Sequence, residues 1–157
     1  MNKEKEKGIR YCLRLLSVRS RSVHEVRERL IGKEYTAENA DEILEELKKE
    51  DILNDKKFAE EWIDTRLRTT PRSARVLRLE LTQKGVSSDI IDEAFLKRED
   101  DLKDSVVAEE IARRKMKSMG NQPKSDVKVK LFRFLTGKGF DPEISEEIIC
   151  RVFENEF

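Results

Sequence analysis

One pattern occurs three times along the 157 residues, and a repeat limits the possible fold more than any other feature of a sequence. The segments RLIGKEYTAE (29–38), ELTQKGVSSD (80–89) and FLTGKGFDPE (134–143) share one scheme: leucine, two residues, lysine, a turn residue, an apolar residue and a cap. Leu30, Leu81 and Leu135 correspond, as do Lys33, Lys84 and Lys138. Gly85 and Gly139 suit the left-handed position that ends a helix, whereas Glu34 in the first copy does not. Thr36, Ser87 and Asp141 then stand where an N-cap belongs, each followed two residues later by an acid. Pro142 falls at a first helical position, where its missing N–H costs nothing.

Upstream of each turn lies an amphipathic helix. Its inward stripe is Val23, Val26, Leu30 in the first copy, Ala74, Leu77, Leu81 in the second and Val127, Leu131, Leu135 in the third. Ser22, Ser73 and Ser125 are the expected caps of these helices, and Ser22 with Glu25 forms a capping box. A further helix precedes each: CLRLLSVR (12–19), AEEWIDTR (59–66) and AEEIARRK (108–115) align Cys12 with Ala59 and Ala108, and Leu15 with Trp62 and Ile111. That register assigns Cys12 and Trp62 to packing. The expected fold is therefore all-α: three tandem three-helix repeats, 1–54, 55–104 and 105–157, forming an elongated, curved array whose units share cores. KSMGNQPKS (117–125) is the expected mobile connection.

Charge is where composition enters. Charged residues make up 42% of the chain, yet 33 Lys+Arg balance 33 Asp+Glu. The balance is uneven along the repeats. Residues 10–29 hold six cations and two acids, 66–84 six and one, and 113–138 nine and one; the intervening segments are acidic. The first two helices of each copy are basic and the third is acidic, so side-by-side copies would carry one basic and one acidic face. Arg21, Arg72 and Lys124 each directly precede a serine cap, and a cation beside helix N–H groups suits a phosphate or a carboxylate.

Several function classes fall away. The acidic third helix, ADEILEELKKED (40–51), would meet phosphates with carboxylates if it entered a major groove, which argues against sequence-specific duplex binding. There is no phosphate loop, metal-ligand spacing or nucleophile–base pair, so neither an enzyme nor a cofactor is expected. His24 reads as a surface side chain, and Cys12 and Cys150 as buried reduced thiols. No apolar run approaches a membrane span, and the N-terminal MNKEKEKGIRY lacks an apolar signal core, so a cytoplasmic location follows as the default expectation.

RSRSVHEVRERL (19–30), ILNDKKFAEEWIDTRL (52–67) and LELTQKGV (79–86) resemble the signature blocks of RecX, the bacterial regulatory protein of the recombinase RecA. The resemblance covers roughly residues 8–153 and is strongest in the middle copy. The connector RTTPRSA departs from it, having Pro71 where the family often has glycine. The resemblance implies a non-enzymatic helical protein that lies along RecA filaments on single-stranded DNA. It would mostly inhibit ATP hydrolysis and strand exchange, as a monomer. The residues proposed to meet filament or DNA are Arg19, Arg21, Arg27, Arg66, Arg68, Arg72, Arg75, Arg78, Lys84, Arg113, Arg114, Lys124 and Lys128. The alternatives are a helical adaptor unrelated to nucleic acid, or a weak single-stranded DNA-binding module with few aromatic platforms.

Overall fold

The computed structural model describes residues 2–156. Among them the chain forms nine helices and no strand: α1 (Lys3–Val18), α2 (Val23–Gly32), α3 (Ala37–Lys49), α4 (Asp55–Thr69), α5 (Ala74–Gln83), α6 (Ser88–Lys97), α7 (Asp104–Ser118), α8 (Lys124–Gly137) and α9 (Pro142–Glu156). They group into two compact units. The first holds the chain up to Trp62 together with Glu80–Ala94; the second holds Ile63–Leu79 together with the chain from Phe95. The division passes through the middle three helices.

In the first unit, α1, α2 and α3 pack around Cys12, Val26, Leu30, Ile43, Leu44 and Leu47, all buried. Local chemistry sets the ends of these helices. Ser22 Oγ accepts from the Glu25 N–H at 3.1 Å, and the Glu25 carboxylate accepts from the Ser22 N–H at 3.0 Å, which completes the capping box. Thr36 accepts from the Asn39 N–H at the start of α3. Gly8 is buried so closely against its neighbours that a Cβ there would overlap Ile43 Cδ1 and crowd the Tyr35 ring. In the second unit, α7, α8 and α9 enclose Val107, Ala108, Ile111, Leu131, Leu135, Phe140, Ile148 and Val152, with Leu67 of α4 packed against them.

Five expectations change. Ser125 is not a cap: it lies inside α8, which begins at Lys124 with Pro123 before it and no side chain on its first N–H groups. Proline's fixed φ suits that entry, so the helix starts without a hydroxyl. Glu34 does occupy the left-handed position, at φ 68°. Cys150 is exposed, because Ile148, Ile149 and Val152 take the inward positions of α9 and leave residue 150 on the outer face. Trp62 is only half-buried: it stacks on Phe58 with ring centroids 5.9 Å apart, and its indole N–H donates to Glu80 at 2.9 Å. An indole nitrogen needs a partner, which keeps that edge of the ring near the surface. The expected connection at 117–125 is shorter in the structure, since α7 runs to Ser118 and α8 starts at Lys124.

Candidate basic interface

The serine ends of α2 and α5 are where cations precede helix N–H groups, and both ends are already occupied. At α2 the Val23 N–H donates to the Asp55 carboxylate at 2.9 Å, and Ser22 Oγ donates to the Lys84 carbonyl at 2.5 Å. At α5 the Ala74 N–H donates to the Asp104 carboxylate at 2.9 Å, and the Ser73 N–H to the Lys138 carbonyl at 3.1 Å. Each joint lies within one unit. The same construction thus recurs. The first residue of one copy's second helix binds the aspartate that opens the next copy, and its serine binds the next copy's Lys-Gly turn. The carboxylate expected from outside comes from the chain itself. Partial burial raises the Asp55 carboxyl above its ordinary range, and the Val23 N–H partly offsets this.

The glycines of those turns belong to the joint. A Cβ on Gly85, at φ 78°, would overlap His24, and one on Gly139, at φ 93°, would overlap Val76 and lie 2.7 Å from Ser73 Oγ. Glycine therefore serves twice, for backbone conformation and for close approach. His24 itself is half exposed and lies 3.2 Å from Glu28, as a surface residue should.

Of the thirteen cations proposed from sequence, many are spent inside the chain. Arg19 and Lys84 converge on Glu25 at 3.0 and 2.8 Å. Partial burial alone would raise that carboxyl; hydrogen bonds from Arg19, Lys84 and the Ser22 N–H override it and bring it down to about 2. Arg27 binds Asp41 of the acidic α3 at 2.9 Å. Arg113 and Arg114 bind Glu109 and Glu110 one turn back at 2.8 and 2.9 Å. Arg21 is half-buried with its Nε 3.5 Å from the Leu15 carbonyl, and Arg66 donates to Thr70 at 2.8 Å. Arg75 reaches the Gly139 carbonyl at 3.4 Å, which places it at a joint. Arg78 lies 4.3 Å from the Phe95 ring centroid and Lys128 5.1 Å from that of Phe153. Lys124, at the start of α8, is exposed and also engaged within the chain.

Arg68 and Arg72 differ. Neither makes an ion pair or a side-chain hydrogen bond among the described residues; Arg68 is exposed and Arg72 half exposed. They flank the end of α4, where Thr69, Thr70 and Pro71 line a concavity of about 310 Å³ with Ile111, Arg114, Lys115 and Ser118 of α7, and Phe134 and Lys138 nearby. Lys115 and Lys138 lie 5.3 and 5.7 Å from the Phe134 centroid. Neither lysine was among the thirteen. The signal for Lys138 was present in the repeat itself, because its counterparts Lys33 and Lys84 also lie over rings, those of Tyr11 at 5.7 Å and Trp62 at 5.3 Å.

This geometry can be compared with known proteins. Residues 9–47 match the family model described as RecX, first three-helix domain, and residues 54–94 match RecX, second three-helix domain. The chain is 33% identical to the Regulatory protein RecX of Chlorobium limicola over 150 residues, covering 96% of this chain and 92% of that one. The chain belongs to the RecX family. It is also 30% identical to Regulatory protein RecX of Bacillus pumilus, of which it covers 57%. The crystal structure of RecX from Lactobacillus salivarius aligns with a TM-score of 0.76 at 24% identity, covering 97% of this chain and 98% of that one, which shows the shared helical fold. A regulatory role follows from RecX membership, and RecX is not an enzyme family. Among the described residues no helix is long and apolar enough to cross a membrane, and no group of side chains is arranged to hold a metal ion.

Proposed function

We propose that this RecX-family chain binds RecA filaments assembled on single-stranded DNA and restrains RecA's ATP hydrolysis and strand exchange, acting as a cytoplasmic monomer in the regulation of recombination and repair. The observation that carries the reading to particular residues is the open charge at Arg68 and Arg72, beside a concavity lined by Arg114, Lys115 and Lys138. Cations satisfied by the chain's own carboxylates have little to gain from a new anion. Guanidinium groups without partners are free to make paired hydrogen bonds to phosphates or to acidic filament side chains. Arg75, also proposed from sequence, reaches a joint carbonyl and is a poorer choice for a test of binding.

The test is co-sedimentation with RecA filaments, with bare single-stranded DNA and with RecA alone, for the parent chain and for Arg68→Glu/Arg72→Glu. The parent should pellet with filaments in preference to either component. The double variant should keep its helicity and lose both pelleting and inhibition of RecA's ATPase. Equal pelleting with bare DNA would replace this reading with a single-stranded DNA-binding module. Pelleting with none of the three would replace it with an adaptor for another protein.

A further inference from the structure

A second concavity lies in the first copy, far in sequence from the arginines just discussed. It measures about 600 Å³, within the roughly 300–1,000 Å³ range of ligand pockets, and is open on one side. Its walls are one stripe of α1, with Lys7, Arg10, Tyr11 and Arg14 at helical spacing, and the turn after α2, with Lys33 and Tyr35. Among the described residues no carboxylate lines it, and Arg10 makes a long contact of 3.8 Å with Glu6. Solubility alone does not call for a basic stripe to line a recess. This one lines a recess with two half-buried aromatic rings in it.

The rings are held in place by the core. Tyr11 and Tyr35 both pack against the α1–α3 cluster, and Tyr35 lies so close to α1 that a Cβ on Gly8 would be 3.1 Å from its ring. The Lys33 ammonium lies over the Tyr11 ring, 5.7 Å from its centroid, and a base seats on that ring only when the flexible lysine swings off its face, which carries the charge toward the attached phosphate. Cations tracking a backbone beside aromatic rings that accept bases is the arrangement by which proteins hold single strands without reading sequence. A duplex, whose bases are stacked inward, offers phosphates but no ring faces.

We infer that this recess is a contact site for single-stranded nucleic acid, with Tyr11 and Tyr35 as stacking surfaces and Lys7, Arg10, Arg14 and Lys33 meeting phosphates. The inference rests on the filament reading only for where such a strand comes from. It adds a direct contact with the strand at the first copy, independent of Arg68 and Arg72.

The chain contains only two tyrosines, and both line this recess. Incorporation of fluorotyrosine therefore gives two fluorine resonances that report on this site. Addition of an oligothymidylate at low salt should shift both resonances. A duplex of equal length and poly-glutamate at matched ionic strength should leave them near their starting positions. Arg10→Glu/Arg14→Glu, two exposed positions, should lower oligothymidylate affinity about tenfold or more, since each lost phosphate contact removes its share of counterion release. Tyr11→Ala should lower it at least about fivefold through lost stacking. Unmoved resonances with oligothymidylate would overturn the proposal, and so would equal shifts with poly-glutamate, which would make the recess a contact for acidic protein. Filament co-sedimentation by the same sample separates the two readings. Binding to filaments with silent tyrosines would leave the filament reading standing and remove this one. Shifted tyrosines without filament binding would do the reverse.

Discussion

Glu25 shows how one side chain acquires a property that its position in a helix does not imply. Three donors converge on its carboxylate, two of them from cations, and its pKa falls from the ordinary 4.5 to about 2. A depressed carboxyl stabilises the folded state wherever it is ionised in both states, and that contribution fades as pH falls through the interval between the two values. The stability difference between the parent chain and Glu25→Gln is therefore expected to be constant above about pH 5 and to shrink between 4.5 and about 2, as read by urea unfolding at a series of pH values. Burial acts the other way on Cys12, pushing its thiol up to about 11, so it should resist alkylation that the exposed Cys150 accepts at the same pH. Mass spectrometry after brief treatment with iodoacetamide checks this, and equal labelling would count against the packing of α1.

At the scale of elements, the joints explain an irregularity in the repeat. Gly85 and Gly139 each lie against the second helix of the copy before, where a Cβ does not fit. Glu34 has the same left-handed backbone but no preceding copy against it, so only the conformational cost remains. The opening aspartate follows the same rule. Counting four residues back from Cys12, Ala59 and Ala108 gives Gly8, Asp55 and Asp104, and only the latter two have a helix end to close. Asp104→Ala should cost about 0.5–2 kcal/mol, the range of a lost N-cap, and should speed hydrogen exchange of the Ala74 amide without affecting the Val127 amide in α8. Gly139→Ala should cost more than Gly120→Ala. Both replace a glycine at positive φ, but nothing lies within 4 Å of a Cβ on Gly120. Equal losses in urea melts would mean that the joint tolerates the extra carbon.

For the molecule as a whole, neutrality conceals an uneven distribution. A chain with 33 charges of each sign has no net attraction to DNA, so any salt-sensitive association must come from local groups. Filament association is expected to weaken as salt rises, with the logarithmic slope falling by roughly 1 for each phosphate contact removed. Arg68→Glu/Arg72→Glu should thus flatten the salt dependence if those groups meet phosphates. An unchanged slope with weaker binding would assign them to acidic protein instead. Arg27→Glu offers the contrast: it breaks an internal pair with Asp41 and should alter stability more than binding.

The all-helical architecture and the positions of its turns were legible in the sequence because both rest on local physics. The spacing of Val26 and Leu30, the capping box at Ser22, the proline at 142 and the glycines at 85 and 139 involve neighbours within a turn or two. Where the local signal had two solutions, as at Ser125 beside Pro123, the shorter-range constraint of proline won. The fate of the charges was not legible. Whether a cation is available depends on which carboxylate approaches it, and Lys84 meets Glu25 across 59 residues of chain. Helix ends that looked ready for a phosphate were closed by aspartates 32 and 30 residues away. Lys7, Arg10 and Arg14 recur at helical spacing along α1, but the recess they line, with Tyr35 against Gly8, is a product of the fold. Sequence alone determined which segments are helical and the inward stripes of α2, α5 and α8, whereas Cys150 and Trp62 show that the facing of other positions waited on the fold. Tertiary structure decided which polar groups remain open to a partner, because hydrogen bonds and ion pairs are made by whatever the fold brings within about 3 Å.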